Sequence, residues 1–238
     1  MAATRLPGKP LLKINNLSII SHVFKRAEEA DIGEVVVATD SQEILKDVQK
    51  NGGKAILTNK NHKTGTDRIY EAYEKLDIKN VDYILNLQGD EPDINKDDII
   101  NLNNFMINQD AELGTLAAKI EDDQMFNNRN VVKVITDKKL EGSNFPKALN
   151  FVRDNLSTDY QNIYHHIGIY SYKMNILKKF INLEQTVNEK ENKLEQLRAL
   201  DNKLKINVAL AKSSPIGVDT QEDYLAIKKI MEYKISNE

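Results

Sequence analysis

The chain has 238 residues, of which 40% are hydrophobic and 29% charged, and this length suits one large α/β domain or one domain with a subdomain. A net charge of −3 argues against nucleic acid as the main partner, and no apolar stretch approaches the ~20 residues of a membrane helix. The chain has no cysteine, which excludes disulfides and thiolate chemistry, and no secretory signal is evident, so we expect a cytoplasmic protein.

Predicted helices and strands alternate in the first half of the chain. In chain order we expect a helix over 19–27, a strand at 35–37, a helix capped by Asp40 or Ser41 and ended by Gly52-Gly53, a strand at 55–57, a helix over 69–76 and a buried strand at 83–87. Such alternation predicts a parallel sheet with right-handed crossovers, in which ligands bind beyond the carboxyl ends of the strands.

The pattern changes after residue 128. There we expect a more antiparallel layer, with strands at 131–135, 148–151 and 163–172, helices near 175–183 and 193–202, a strand at 206–210 and an amphipathic helix over 221–235. This layer, over about 129–204, is a candidate lid or dimerisation subdomain within a single domain that spans 1–238.

A basic loop near the N-terminus is the first candidate site. Arg5, Gly8 and Lys9 combine two cations with a glycine whose backbone is permissive, which favours binding of a polyphosphate. A frayed basic terminus is the alternative interpretation.

Two aspartates are candidate Mg²⁺ ligands. Asp90 follows Gln88-Gly89 directly after a predicted strand, where a carboxylate can share a metal ion with phosphate oxygens. Asp219 lies in a late loop and is the second candidate. The alternatives are a turn aspartate for Asp90 and a helix cap for Asp219, although Thr220 could fill the capping role.

The remaining candidates are weaker. The Thr64 to Arg68 segment offers amides and hydroxyls to a base or phosphate, but it also fits an ordinary helix start. His165 and His166 are adjacent in a predicted strand, so their side chains should point to opposite faces. The chain lacks a nucleophile elbow, a G-x-x-x-x-G-K-[ST] loop and a G-x-G-x-x-G fingerprint, so the usual hydrolase, NTPase and dehydrogenase sites are missing.

Seven short strings, taken in order, resemble the 3-deoxy-manno-octulosonate (Kdo) cytidylyltransferase family over essentially the whole chain. They are Arg5-Leu6-Pro7-Gly8-Lys9-Pro10, Ala38-Thr39-Asp40, Thr64-Gly65-Thr66-Asp67-Arg68, Gln88-Gly89-Asp90-Glu91-Pro92, His166-Ile167-Gly168-Ile169-Tyr170, Glu195-Gln196-Leu197-Arg198 and Val218-Asp219-Thr220. The resemblance implies a Rossmann-like nucleotidyltransferase three-layer sandwich with a smaller antiparallel subdomain. It also implies transfer of CMP from CTP to Kdo, with loss of pyrophosphate, for lipopolysaccharide assembly.

The resemblance also implies roles for individual residues. The expected catalytic residues are Arg5, Lys9, Asp90 and Asp219, the last two as Mg²⁺ ligands. The expected CTP-binding residues are Arg5, Gly8, Lys9, Thr64, Gly65, Thr66, Arg68 and Gln88. The expected Kdo-binding residues are Gln88, Arg153, His166, Glu195 and Gln196, and a homodimer is expected.

The opening of the chain departs from the family pattern. The family begins with an apolar strand that ends in a Pro-Ala-Arg stretch, whereas Met1-Ala2-Ala3 precedes Arg5 here. We therefore expect either a start codon assigned too late or a truncated, weakly active product. A cytidylyltransferase for another sugar acid, such as a sialic acid, and a noncatalytic nucleotide-binding remnant are the alternative functions.

Overall fold

The computed structural model describes residues 6–153 and 161–235. The strands in these ranges are β1 (Lys13–Ile14), β2 (Leu17–Ser18), β3 (Val37–Thr39), β4 (Ala55–Leu57), β5 (Tyr83–Asn86), β6 (Leu113–Ala118), β7 (Lys133–Thr136), β8 (Ala148–Val152), β9 (Ile163–Lys173) and β10 (Ile206–Leu210). The helices are α1 (Ile19–Glu29), α2 (Gln42–Lys50), α3 (Gly65–Leu76), α4 (Lys96–Asn108), α5 (Asp123–Asn127), α6 (Met174–Ile181), α7 (Val187–Asn192), α8 (Gln196–Asp201) and α9 (Gln221–Ile235). In these ranges, no helix has the length and apolar character needed to cross a membrane.

The chain divides into two compact units, and the first contains the described parts of Met1–Lys79, Leu87–Ile99 and Pro215–Glu238. Its β3 and β4 pair in parallel, as predicted, although β3 begins two residues later than the valine run that predicted it. One face of α1 packs with α2 and these strands around Ile20, Phe24 and Val48. Another cluster joins Ile14 and Ile19 to the last helix and the loop before it. These contacts fix the loops on which the candidate phosphate residues lie.

The second unit contains Asn80–Asn86 and Ile100–Ser214. Its sheet has the order β10-β6-β9-β7-β8, and β5 also pairs with β9. Only β10 and β6 run parallel among these pairs; β6, β7 and β5 are all antiparallel to β9, and β7 is antiparallel to β8. The predicted segment 129–204 lies inside this unit, which also takes in residues before it.

One prediction about the sheet is wrong. The strand expected at 83–87 was assigned to a parallel sheet, but β5 pairs antiparallel with β9 in the register Tyr83↔Lys173 to Asn86↔Tyr170. The reason is the length of β9, which spans eleven residues and pairs with β5 on one side and β6 on the other along the same stretch. Apolar periodicity indicates that a strand is buried, but it does not specify its partner or direction.

Candidate active site

A tight turn in the first unit positions Lys9. Gly8 has a φ of 71°, in the left-handed region that favours glycine, and Pro10 follows at the start of a short 3-10 turn. The amide of Lys9 donates to the carbonyl of Leu6 at 3.2 Å and the amide of Leu11 donates to that of Gly8 at 2.9 Å. The turn therefore fixes the backbone of Lys9. Arg5, the other predicted cation, lies outside the described residues.

A backbone hydrogen bond from a remote segment positions Asp90. A Cβ atom on Gly89 would lie 2.8 Å from Cδ1 of Ile20, so that isoleucine would have to shift to admit a side chain there. The carbonyl of Asp90 accepts a 2.9 Å hydrogen bond from the amide of Val218. This bond joins two segments that are remote in the chain and brings Asp219 to the same place.

The helix that follows Asp219 is capped by other residues. Thr220 Oγ1 accepts from the amide of Asp223 at 3.2 Å, and the Asp223 carboxylate accepts from the amides of Thr220 and Asp219 at 2.8 and 3.1 Å. Thr220 and Asp223 therefore form a reciprocal cap, so the alternative role considered for the Asp219 side chain is filled by its neighbours.

The ammonium group of Lys9 contacts both predicted metal ligands. Its Nζ lies 2.6 Å from Oδ2 of Asp90 and 3.1 Å from Oδ1 of Asp219. Burial lowers the pKa of Lys9, but the two carboxylates together raise it above its usual value, so this side chain is a cation at neutral pH. The side chains of Lys9, Asp90 and Asp219 are 14%, 29% and 48% exposed.

This arrangement fits a divalent metal ion. Mg²⁺ binds hard oxygen ligands and in nucleotide enzymes often takes only one or two carboxylates, because phosphates and water fill its other positions. Asp90 and Asp219 supply such a pair around one cationic centre. Within the described ranges, no cluster of three or more His, Cys, Asp or Glu side chains could hold a metal without such help.

The segment from Thr64 to Arg68 forms the start of α3. Thr64 and Asp67 make a capping box, in which each side chain accepts the backbone amide of the other. Arg68 donates to Asp40 Oδ2 at 2.8 Å and to Thr58 Oγ1 at 2.7 Å. The simpler interpretation of a helix start therefore holds locally, and the contact of Arg68 with Asp40 brings two of the quoted strings together. Thr66 is buried and Gly65 is exposed.

His166 lies deep inside the second unit. Its Nε2 is 3.0 Å from Thr115 Oγ1, and its ring packs against those of Phe151 and Tyr170, with centroids 5.0 and 5.4 Å away. Burial lowers the pKa of His166 to about 3, so the ring is neutral at physiological pH. His165 instead contacts Ser214 Oγ at 2.6 Å, which agrees with the expectation that the two rings have separate surroundings.

Tyr170 carries a buried hydroxyl beside His166. This oxygen has no hydrogen-bond partner within the described residues. Burial raises the pKa of Tyr170 well above its usual value, and the charges of Tyr172 and Glu195 raise it further. A buried hydroxyl without a protein partner is costly unless water or a ligand satisfies it.

Helix α8 begins at Gln196, directly after Glu195. A buried ion pair fixes the backbone of this helix. Arg198 donates to both carboxylate oxygens of Glu189, at 2.8 and 2.6 Å, and these side chains are only 2% and 4% exposed. Its guanidinium also lies 4.7 Å from the ring centroid of Phe180 and 3.9 Å from Oε1 of Glu195. Gln196 is buried and Glu195 half-buried.

Arg153 lies at the end of β8. Its Nη1 donates at 3.4 Å to the carbonyls of Arg129 and Asn130. Gln88, the remaining sugar candidate, belongs to the first unit and is exposed. The structure thus brings Lys9, Asp90 and Asp219 together in one unit, and it places Arg153, His166, Glu195 and Gln196 in the other.

Sequence reasoning assigned no role to three buried polar residues of the second unit: Tyr170, Arg198 and Lys133. Tyr170 and Arg198 stand in quoted strings, but neither residue has an assigned role there. Lys133 interrupts an apolar strand, and a lysine flanked by Val131-Val132 and Val134-Ile135 is a signal that could have drawn attention to a buried cation.

The chain has the fold of a nucleotidyltransferase. A solved structure described as UDP-glucose pyrophosphorylase matches 98% of this chain and 96% of its own with a TM-score of 0.70, and at 13% identity it shows the fold alone. A structure described as CMP:2-keto-3-deoxy-manno-octonic acid synthetase complexed with CTP matches at 32% identity and a TM-score of 0.85, over 97% of this chain and 94% of its own. These likenesses confirm the α/β nucleotidyltransferase fold predicted from the sequence.

The chain belongs to the cytidylyltransferase family, whose model matches residues 1–206. Proteins named 3-deoxy-manno-octulosonate cytidylyltransferase are similar to it throughout. The one from Thermodesulfovibrio yellowstonii is 42% identical over 96% of this chain and 94% of its own length. The one from Nitrobacter hamburgensis is 40% identical over 97% of this chain and 89% of its own. The resemblance drawn from the short strings is therefore confirmed.

Proposed function

We propose that this protein transfers CMP from CTP to Kdo, giving CMP-Kdo and pyrophosphate for lipopolysaccharide assembly. The observation that carries this proposal is the Lys9 ammonium between Asp90 and Asp219, in a chain about 40% identical to proteins named for this reaction. A cation and two carboxylates at a tight backbone turn match the needs of a nucleoside triphosphate with its metal ion.

The reaction forms one bond and breaks one. The anomeric hydroxyl oxygen of Kdo attacks the α-phosphorus of CTP in line, the bond from that phosphorus to the α,β-bridging oxygen breaks, and the hydroxyl proton passes to solvent water. Negative charge grows on the pyrophosphate that leaves. Lys9 and Arg5 are the cations proposed to neutralise it, and the left-handed Gly8 lets backbone amides approach the phosphates.

Asp90 and Asp219 are proposed to hold Mg²⁺. When bound, Mg²⁺ supplies charge neutralisation at the phosphates and makes a nearby hydroxyl easier to deprotonate. Before it binds, Lys9 neutralises the two carboxylates that would otherwise repel each other. We infer that Lys9 turns from these carboxylates towards phosphate oxygens when the nucleotide and its metal bind.

The remaining candidate residues are assigned to one substrate or the other. Thr64, Gly65, Thr66, Arg68 and Gln88 are proposed to contact CTP, with Gln88 also contacting the sugar. In the second unit we assign Kdo to Arg153, His166, Glu195 and Gln196. Arg153 is the natural partner of the sugar carboxylate because a guanidinium binds a carboxylate through two parallel hydrogen bonds. The neutral His166 ring and the Tyr170 hydroxyl suit the hydroxyl groups of a sugar.

Pyrophosphate release from CTP and Kdo with Mg²⁺ tests the proposed function. We expect release that needs all three components, and no release when a sialic acid replaces Kdo. Turnover of the sialic acid alone would overturn the sugar assignment. Stabilisation of the protein by CTP and Mg²⁺ with no turnover of any sugar acid would instead support a noncatalytic nucleotide-binding protein.

We propose the cytoplasm as the site of this reaction, because CTP is made and used there. The homodimer also remains a proposal. Light scattering of the purified protein tests it: a mass of twice 27.1 kDa is expected, and a mass of 27.1 kDa would contradict it.

A further inference from the structure

A wholly buried lysine lies behind the proposed sugar-carboxylate residue. Lys133 in β7 is 0% exposed, and its Nζ donates to the carbonyl of Asn128 at 2.7 Å and to the carbonyl of Arg153 at 2.9 Å. These short bonds tie the turn before β7 to the end of β8. Both strands of this hairpin are thereby fixed at the point where Arg153 leaves the sheet.

The same turn also receives the side chain of Arg153. Three successive carbonyls, those of Asn128, Arg129 and Asn130, accept from two cations: the first from Lys133 and the other two from the Arg153 guanidinium. The contacts of the guanidinium are 3.4 Å long, beyond the usual range for such bonds, whereas those of Lys133 are short. The backbone carbonyl of Arg153 therefore accepts a short bond, whereas the guanidinium makes long bonds to these two carbonyls.

This difference suits a residue that must exchange partners. A carboxylate binds a guanidinium through two short, charge-assisted bonds, which would replace two long bonds to neutral carbonyls. The anchor must not move during that exchange, since hydrogen bonding depends steeply on geometry. Lys133 contacts the backbone of Arg153 rather than its guanidinium, so it can keep the anchor fixed.

The chemical cost of Lys133 also argues for a role beyond filling space. Burying an ammonium group is expensive, and apolar side chains of similar volume often replace buried charges with no loss of stability. The charge of Lys133 also affects its cross-strand neighbour in β9, His165. The pKa of His165 is lowered to about 4, mainly by burial and further by the positive charge of Lys133.

We propose that Lys133 is a positioning residue that fixes the Arg153 backbone for binding of the sugar carboxylate. This inference rests on the proposed function for the identity of the ligand. It does not rest on it for the geometry, because the contacts of Lys133 with Asn128 and Arg153 stand without a substrate.

Kinetics with two variants test the role. In Lys133→Met, whose side chain is unbranched and one atom shorter but cannot donate, we expect the KM for Kdo to rise about tenfold or more, while the KM for CTP stays within about twofold. Lys133→Arg, which can still donate, should recover much of the loss. The control is Lys139→Met, at a side chain that is 78% exposed, and it should change neither constant. Equal losses for CTP and Kdo in Lys133→Met would overturn the proposal.

A measurement without turnover separates this proposal from the proposed function. Nitrogen-15 relaxation of the Arg153 backbone amide, recorded on the substrate-free protein, should show an ordered backbone in the original protein and a more mobile one in Lys133→Met. Identical order in both would overturn the positioning role, whatever the enzyme turns over. An ordered-to-mobile change in a protein that releases no pyrophosphate would uphold the role of Lys133 and reject the Kdo reaction.

Discussion

The two units hold their cations in opposite ways. In the first unit Lys9 lies between Asp90 and Asp219, whose side chains are partly exposed. In the second, Arg198 and Glu189 form a buried bidentate pair. Water reaches the first group, so its ion pairs can exchange for a metal ion and a phosphate at modest cost, whereas the second pair cannot open without leaving a charge in the interior. The comparison teaches that charges meant to change partners lie near solvent, and that charges meant to fix geometry are buried.

The largest effect is expected at Asp90. Asp90→Asn removes one charge of the exchangeable group while keeping its shape, so kcat for pyrophosphate release should fall about 1,000-fold, because stabilisation of the phosphate charge is lost. Circular dichroism should show an unchanged fold. Glu29→Gln, in the exposed pair with Arg26, is the matched control and should leave kcat as it is. A loss below about tenfold would show that Asp90 has no part in the chemistry.

The buried pair should show the reverse behaviour, with stability as the sensitive quantity. Arg198→Met leaves the Glu189 carboxylate buried without its main partner, so the free energy of unfolding in urea should fall by about 3–5 kcal/mol. Adding Glu189→Leu should recover most of that loss, because no charge is then buried. If the double variant is as unstable as the single one, the pair does not act as a unit.

Lys9 should affect activity and metal affinity in opposite directions. In Lys9→Met, kcat/KM for CTP should fall about 100-fold, since a cation that neutralises phosphate charge is missing. The substrate-free protein should nevertheless bind Mn²⁺ more tightly, because the two carboxylates no longer share an ammonium group. Calorimetric titration with Mn²⁺ measures this directly. Weaker Mn²⁺ binding in the variant would refute the proposal that a metal ion replaces the Lys9 ammonium at these carboxylates.

The last prediction concerns pH and the second unit. The pKa of His166 falls to about 3 in the folded protein from the usual 6.5, so only the unfolded chain takes up this proton between those values. Stability from this residue is therefore complete above pH 6.5 and is lost as the pH falls towards 3. Urea unfolding of His166→Asn should show a shallower decline from pH 6.5 to 4 than the original protein. Parallel declines would show that His166 is not buried in its neutral form.

Local signals in the sequence identified many elements correctly. The ranges 206–210 and 221–235 match β10 and α9, and Ser41 caps α2 as expected, because each depends on periodicity or a capping side chain within a few residues. Strand β6 was missed. Its sequence Leu-Gly-Thr-Leu-Ala-Ala is buried throughout, so it shows no alternation, and it contains few β-branched residues.

The candidate site was predictable where short strings specify turns. The glycine before Asp90 and the threonine after Asp219 place the two carboxylates, and the structure brings both to Lys9. The supporting contacts were not predictable, because they depend on which strands pair. Lys133 reaches Arg153 only through the pairing of β7 with β8, across twenty residues of chain. Periodicity carries no information on such pairing.

A double-mutant cycle at Asp90 and Asp219 tests most directly whether the two carboxylates serve one ion. The measurement is kcat/KM for CTP with Mg²⁺ in the original protein, Asp90→Asn, Asp219→Asn and the double variant. If both carboxylates hold the same metal ion, kcat/KM of the double variant should be only slightly below that of the less active single variant. The second substitution then removes a ligand from a site that is already lost. Losses that multiply across the cycle would mean that the two carboxylates act independently, and would contradict the shared site.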